Sequence, residues 1–262
     1  MTKNETILEK IKKLLALSKS DNVNEAAAAA AKAQALASRY QIDLAMASLE
    51  VESTQGSPQP SFTVDTHLIF KGGTRLSFWI WILSSDVCNA NRLKPYQQHG
   101  DIYGIGDAEG VPIAGYVIGW LIGEVERLEK IERRKIGYAM GKGESKRWGN
   151  AFRVGCAQTI GSRIRKQYME TITKLSHKPA EDDYRLATEQ GSEAILALDK
   201  QTRYAIALTN LSEQYAVAIE VKSKEIGLRS TGYSGSTTSG DGLRRGREAG
   251  NRANLGGKAI TG

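Results

Sequence analysis

Only two cysteines, five prolines, three histidines and 7% aromatic residues occur in this 262-residue sequence. Each shortage excludes something. Cys88 and Cys156 are too few for a disulfide framework and fit a reducing compartment. His67, His99 and His177 are scattered, with no H-E-x-x-H spacing and no close cysteine pair, so a zinc site is not expected. No apolar run reaches about 18 residues, the length a membrane-spanning helix needs. The opening MTKNETILEKIKKLL lacks the continuous apolar region and cleavage site of a secretory signal. These absences lead us to expect a cytoplasmic protein with no membrane partner and no cofactor. Few prolines beside 27 glycines favour helices joined by glycine-rich turns over a sandwich of many strands.

A local absence is more informative. The stretch SKRWGNAFRVGCAQTIGSRIRKQ, residues 145–167, contains no acidic side chain, yet it holds Lys146, Arg147, Arg153, Arg163, Arg165 and Lys166. Residues 130–178 carry thirteen Lys/Arg against Glu132, Glu144 and Glu170, and the whole chain has a net charge of +7. The tail from Lys222 onward is also basic, whereas residues 180–199 are acidic. Segregation of this kind points to a positive face.

Hydrophobic periodicity organises the rest. Ile7, Ile11, Leu14, Leu15 and Leu17 form one helical stripe, and Asn22 or Asn24 can cap a second helix through the alanine run to about Tyr40. Residues 1–50 thus read as a helical hairpin and 51–61, with two prolines, as a linker. Residues 62–228 read as an α+β domain, helix-rich, with a small sheet packed by long helices. Its elements are a strand in FTVDTHLIFKGG and a helix capped by Thr74, with Leu76, Trp79, Ile80, Leu83 and Val87 buried. Two strands then turn near His99 and Gly100. A long helix follows over about 108–135, whose Ala114, Gly115, Gly119 and Gly123 suit close packing, then the basic helix, a short strand at Ala194–Leu198 and a helix from Gln201 to Glu225. Residues 229–262 read as a Gly/Ser-rich linker and a basic helix. There Gly242, Gly246 and Gly250 line one smooth face, with Arg244, Arg245, Arg247 and Arg252 elsewhere; docking of this face on another helix is expected, in preference to a disordered arm.

The segment KIKKLLALSKSDNVNEAAAAAAKAQALASRYQID carries a recognisable pattern in Lys13, Leu14, Leu15, Ala16, Leu17, Ser20, Asn24, Glu25, Ala26, Ala33, Gln34, Tyr40 and Ile42. It resembles the domain of unknown function DUF2786. RWGNAFRVGCAQTIGSRI and the closing GLRRGREAGNRANLGG resemble DUF7168, a domain often found after it. The resemblance implies a bacterial or phage protein, has no established activity attached, and supports the architecture alone.

Catalytic motifs are missing. YGIGDAEG has the wrong glycine spacing for a dinucleotide loop, GKGESK lacks the Walker spacing, and no G-x-S-x-G elbow exists. Asp101, Asp107 and Glu109 near one strand-to-helix turn leave a magnesium site, and with it a nuclease, open as a weaker reading. On a helical wheel Phe152, Cys156, Ile160 and Ile164 follow one core stripe, with Arg153 and Arg163 at its sides. Arg147, Arg153, Arg163 and Lys166 are expected to stay exposed in one positive surface with Lys142 and Lys146, because an unpaired buried guanidinium is costly. The reading that follows is a non-enzymatic nucleic-acid-binding accessory protein, phage or mobile-element encoded, acting in DNA metabolism, recombination or counter-defence. Its candidate contacts are Lys142, Lys146, Arg147, Trp148, Arg153, Arg163, Arg165, Lys166, Arg244, Arg245 and Arg247. Single-stranded DNA suits Trp148 and Tyr168 set among cations. The alternative from another class is a module that docks on an acidic host protein; self-association is compatible with either.

Overall fold

The computed structural model describes residues 63–136, 141–229, 239–253 and 255, together with Glu9, Lys10, Lys13, Leu14 and Leu36. The expected N-terminal hairpin and the 51–61 linker lie outside the described residues apart from those five; of these, Leu14 and Leu36 pack against the core.

The elements run β1 (Asp65–Phe70), α1 (Phe78–Ala90), β2 (Lys94–Gln98), β3 (Asp101–Gly106), a 3-10 turn (Ala108–Gly110), α2 (Val111–Ile136), α3 (Lys142–Ser176), α4 (Glu181–Gln190), α5 (Ser192–Glu225) and α6 (Gly240–Arg252). This is an α+β fold dominated by helix. The antiparallel sheet has the order β1-β3-β2. Its β2–β3 hairpin closes through His99 and Gly100, both at positive φ (52° and 87°), the conformation a two-residue hairpin turn demands. Any side chain at Gly100 would also strike the Gly73 carbonyl.

Helix α3 is the centre of the molecule. Trp148, Ala151, Phe152, Val154, Cys156, Ala157 and Ile160 are all buried along it, meeting Trp79, Leu83, Val87 and Cys88 of α1 and Ile118, Leu121 and Val125 of α2. Full burial of a side chain such as Phe152 contributes about 1.5–3 kcal/mol. The expected core stripe is present, with Ile164 only half-buried near the helix's far end.

The C-terminal glycines dock as the four-residue spacing implied. A Cβ at Gly242 would lie 2.5 Å from the Trp148 carbonyl oxygen and one at Gly250 2.9 Å from that of Cys156, while one at Gly246 would strike Phe152. Both sets of numbers rise together, so α6 lies parallel to α3, backbone against backbone. Gly155 answers from the α3 side, where a Cβ would meet the Leu243 carbonyl.

Three local expectations fail. Ser77, with no side-chain cap bond, precedes α1 in place of Thr74; Leu76 lies before the helix and is buried all the same. The stretch Ala194–Leu198 is helical, part of α5, since among the described residues no strand lies beside it and a short apolar run does not by itself tell strand from helix. On α2, Ala114 is buried and Gly115 packs on the Ile69 carbonyl, but Gly119 and Gly123 face open space.

Candidate nucleic-acid interface

Two of the six cations of 145–167, Arg153 and Arg165, pair with carboxylates that α2 and α1 bury opposite α3. Glu124, Glu129 and Glu132 of α2 are all buried. Glu129 accepts from Arg153 of α3 at 2.9 Å and also from Arg133, whose guanidinium reaches on to the Ser145 carbonyl at 3.2 Å. Glu132 faces Lys135 (2.5 Å), Arg245 (3.7 Å) and Arg252 (3.4 Å), the last two from α6. Glu124 is held bidentately by Arg127, at 2.7 Å for both bonds, and Asp86 of α1 accepts from Arg165 Nε at 2.9 Å. A carboxylate can be kept in such a seam only when paired, and each of these is.

Arg163 has a different task. It donates to the carbonyls of Gly250 (2.7 Å), Asn251 (3.2 Å) and Ala253 (2.7 Å), closing the C-terminal end of α6, whose last carbonyls have no partner within the helix. Burial lowers the pKa of this guanidinium. Arg153 and Arg163 are therefore half-buried and engaged, contrary to the expected exposure. The sequence-local scarcity of acids misled, because the partners come from segments far away in the chain.

Trp148 is also placed otherwise than stacking on a ligand requires. Only 2% of it is exposed; it stacks on Phe152 at 5.3 Å between centroids, with the Arg133 guanidinium 5.5 Å from its ring. Its indole N–H donates to Asp241 at 3.0 Å. That bond, helped by Arg244 and Arg245, holds the Asp241 carboxyl below the usual range. Arg244 is bound between Asp241 (2.8 Å) and Glu248 (2.6 Å). Tyr168 is half-buried, with its hydroxyl pKa raised by burial.

Lys146, Arg147, Lys166 and Arg247 are exposed; the nearest carboxylate to Lys166 is Glu170 at 3.9 Å. The side chain of Lys142 lies outside the described residues. Nor do the exposed cations share one face: Arg147 and Lys166 are nineteen residues apart, about 28 Å along a helix, with the buried middle of α3 between them. What does assemble is a corner at the start of α3. Arg133 ties the end of α2 there, and Trp148 and Gly242 tie the start of α6. Lys130, Arg134 and Lys135 are also exposed on the last turns of α2, the part that Arg133 ties to the start of α3, with Lys135 paired to Glu132. Lys130 and Arg134 were visible in the sequence only as part of a charge count; their place at the corner follows from α2 running antiparallel beside α3.

The carboxylate grouping considered from the sequence does not form. Asp101 opens β3 and Asp107 follows its last residue, roughly 19–20 Å apart at strand rise, and Asp101 accepts from the Gly72 amide at 2.9 Å. The side chain of Glu109 lies outside the described residues, and among those described no cluster suits a metal ion. Burial pushes the Cys88 and Cys156 thiols up to about 12, which leaves them poor nucleophiles. Among the described residues no helix is long and apolar enough to cross a membrane.

Residues 6–44 match the model of a family described as "Protein of unknown function (DUF2786)". No curated protein and no solved structure matches the chain.

Proposed function

We propose that the protein is a nucleic-acid-binding accessory protein and that its contact surface is the corner where α2 ends and α3 and α6 begin. The observation that carries this reading is the pair Lys146 and Arg147, exposed at the start of α3 while Glu129 and Glu132 of the adjoining α2 are buried and already engaged, although Glu144 of the same turn is exposed. A phosphate backbone suits such a site, because binding releases condensed counterions and requires no base-reading motif. Arg153, Arg163, Arg165, Arg244 and Arg245 contribute to the field but hold the fold. A DUF7168-like identity for the larger domain, and with it a phage or mobile-element origin and a role in DNA metabolism, recombination or counter-defence, belongs to the same proposal. Its support is that the two stretches carrying that resemblance pack directly on each other as α3 and α6.

Anisotropy titrations against single- and double-stranded DNA from 50 to 300 mM salt test the reading. Lys146→Ala with Arg147→Ala should weaken binding and reduce the salt slope by about 1.4–1.8, the contribution of two phosphate contacts. A flat salt response of the unaltered protein refutes it. The second reading, docking on a host protein, is favoured by Leu186, Leu196, Val217 and Val221 on α4 and α5, each more than half exposed. A stoichiometric partner retained from nuclease-treated lysate, and lost on Val217→Asp, would support that one instead.

A further inference from the structure

If nucleic acid is the ligand, burial of Trp148 removes the stacking element that the sequence offered, and the sheet supplies another. Leu68, Tyr103 and Tyr96 are register partners across β1, β3 and β2, so their side chains form one row on one face. Ile69 and Ile102 point the opposite way, into the core. In the next row Ile105 is fully buried, because the end of α5 crosses there: Glu220 pairs with Lys94 at 3.2 Å and Lys222 with Asp65 at 3.3 Å. The helix does not close the Tyr96 row. Leu68 remains 40% exposed and both tyrosines are half-buried, with centroids 5.3 Å apart and planes within 21°. Two alternating positions along β2, Lys94 and Gln98 flank Tyr96 on the same face, a cation and an amide beside the rings.

We propose that Tyr96 and Tyr103 form a platform on which unpaired bases of a single strand stack. This rests on the nucleic-acid reading and deepens it by naming the substrate class. A half-buried pair of mutually stacked tyrosine rings on a sheet can extend its stack with a flat base of any sequence, whereas a duplex keeps its bases stacked within itself. Addition of a peptide strand to β2 fits less well, since Pro95 lacks the amide such pairing needs. β3 leads through the 3-10 turn into α2, whose 26 residues extend about 39 Å to the cationic corner, so a long strand would engage both.

The test compares a labelled oligo-dT with a base-free deoxyribose-phosphate strand of equal length, on the full chain. The unaltered protein should bind oligo-dT about tenfold more tightly than the base-free strand, the worth of one stacked base. Tyr96→Leu with Tyr103→Leu should erase that preference while leaving affinity for the base-free strand, and so the fold, unchanged; Tyr96→Phe should retain it. Lys146→Ala with Arg147→Ala should weaken both strands by one common factor. Equal affinity of the unaltered protein for both strands overturns the platform and leaves the cationic corner standing. Binding of neither strand overturns the nucleic-acid reading, and the platform with it.

Discussion

Replacing Gly246 with alanine should destabilise the protein although it improves helix propensity. In an exposed helix the exchange is favourable by about 1 kcal/mol, because alanine restricts the unfolded chain and glycine does not. At position 246 the new methyl would lie 2.8 Å from the Phe152 carbonyl carbon and 3.0 Å from the Cys156 amide nitrogen, with the Phe152 carbonyl oxygen closer still. These are backbone atoms of the central helix, so no rotamer change relieves the clash and α6 must move outward as a unit. Overpacking of this kind costs about 1–3 kcal/mol, and here it also loosens Leu243, Ala249 and the bonds from Arg163. With the upper part of that range acting, the net loss is about 2 kcal/mol, a fall in Tm of roughly 4–8 °C for a chain of this size. Gly119→Ala is the control: it lies in α2 with nothing within 4 Å of the added methyl, and should raise Tm by about 1–4 °C. Thermal unfolding followed by circular dichroism reads both. Equal stability of the two variants would refute the backbone-contact account of α6.

Arg163→Met, which keeps the aliphatic stem and removes three bonds to the end of α6, should lower stability by about 1.5–3 kcal/mol, whereas Arg147→Ala should change it by less than about 0.5 kcal/mol. Denaturant titration of the two distinguishes an arginine that holds the fold from one that faces solvent. The Asp241 carboxyl, depressed in the folded state chiefly by the Trp148 indole, contributes stability that is complete above its unfolded pKa of about 3.9 and is lost as pH falls through the lower folded value. Asp241→Asn should therefore flatten the acid limb of the stability–pH curve below about pH 4 and leave the neutral region's slope unchanged, measured by denaturant midpoints across pH.

Which arginines face solvent was not legible in the sequence, although the cluster itself was. Residues 145–167 hold no acid, and reasoning within that window makes every cation unpaired. Glu129 stands 24 positions from Arg153, Asp86 79 from Arg165 and the Gly250 carbonyl 87 from Arg163, so the pairing depends on which helices meet. Trp148 failed for the same reason. Its neighbours in the chain are cations, but its neighbours in space are Phe152, Arg133 and Asp241. Conversely, the glycines at 242, 246 and 250 were readable, since a four-residue repeat of glycine has a single helical face whatever lies opposite.

The sequence by itself determined the elements whose signals are local: the hairpin at His99 and Gly100, the long helix α2, the core stripe of α3 and the smooth face of α6. Periodicity and turn chemistry depend on residues a few positions apart, and the chain carries that information wherever it folds. The tertiary structure alone decided that α3 is the central helix, that α2 and α1 answer its arginines with buried carboxylates, and that Asp101 and Asp107 are held apart by the length of β3. It also left the Tyr96–Tyr103 row half-buried beside a row that α5 closes. Burial and ion pairing are properties of surfaces that meet, and their terms, desolvation against Coulomb attraction, exist only once distant segments share one space.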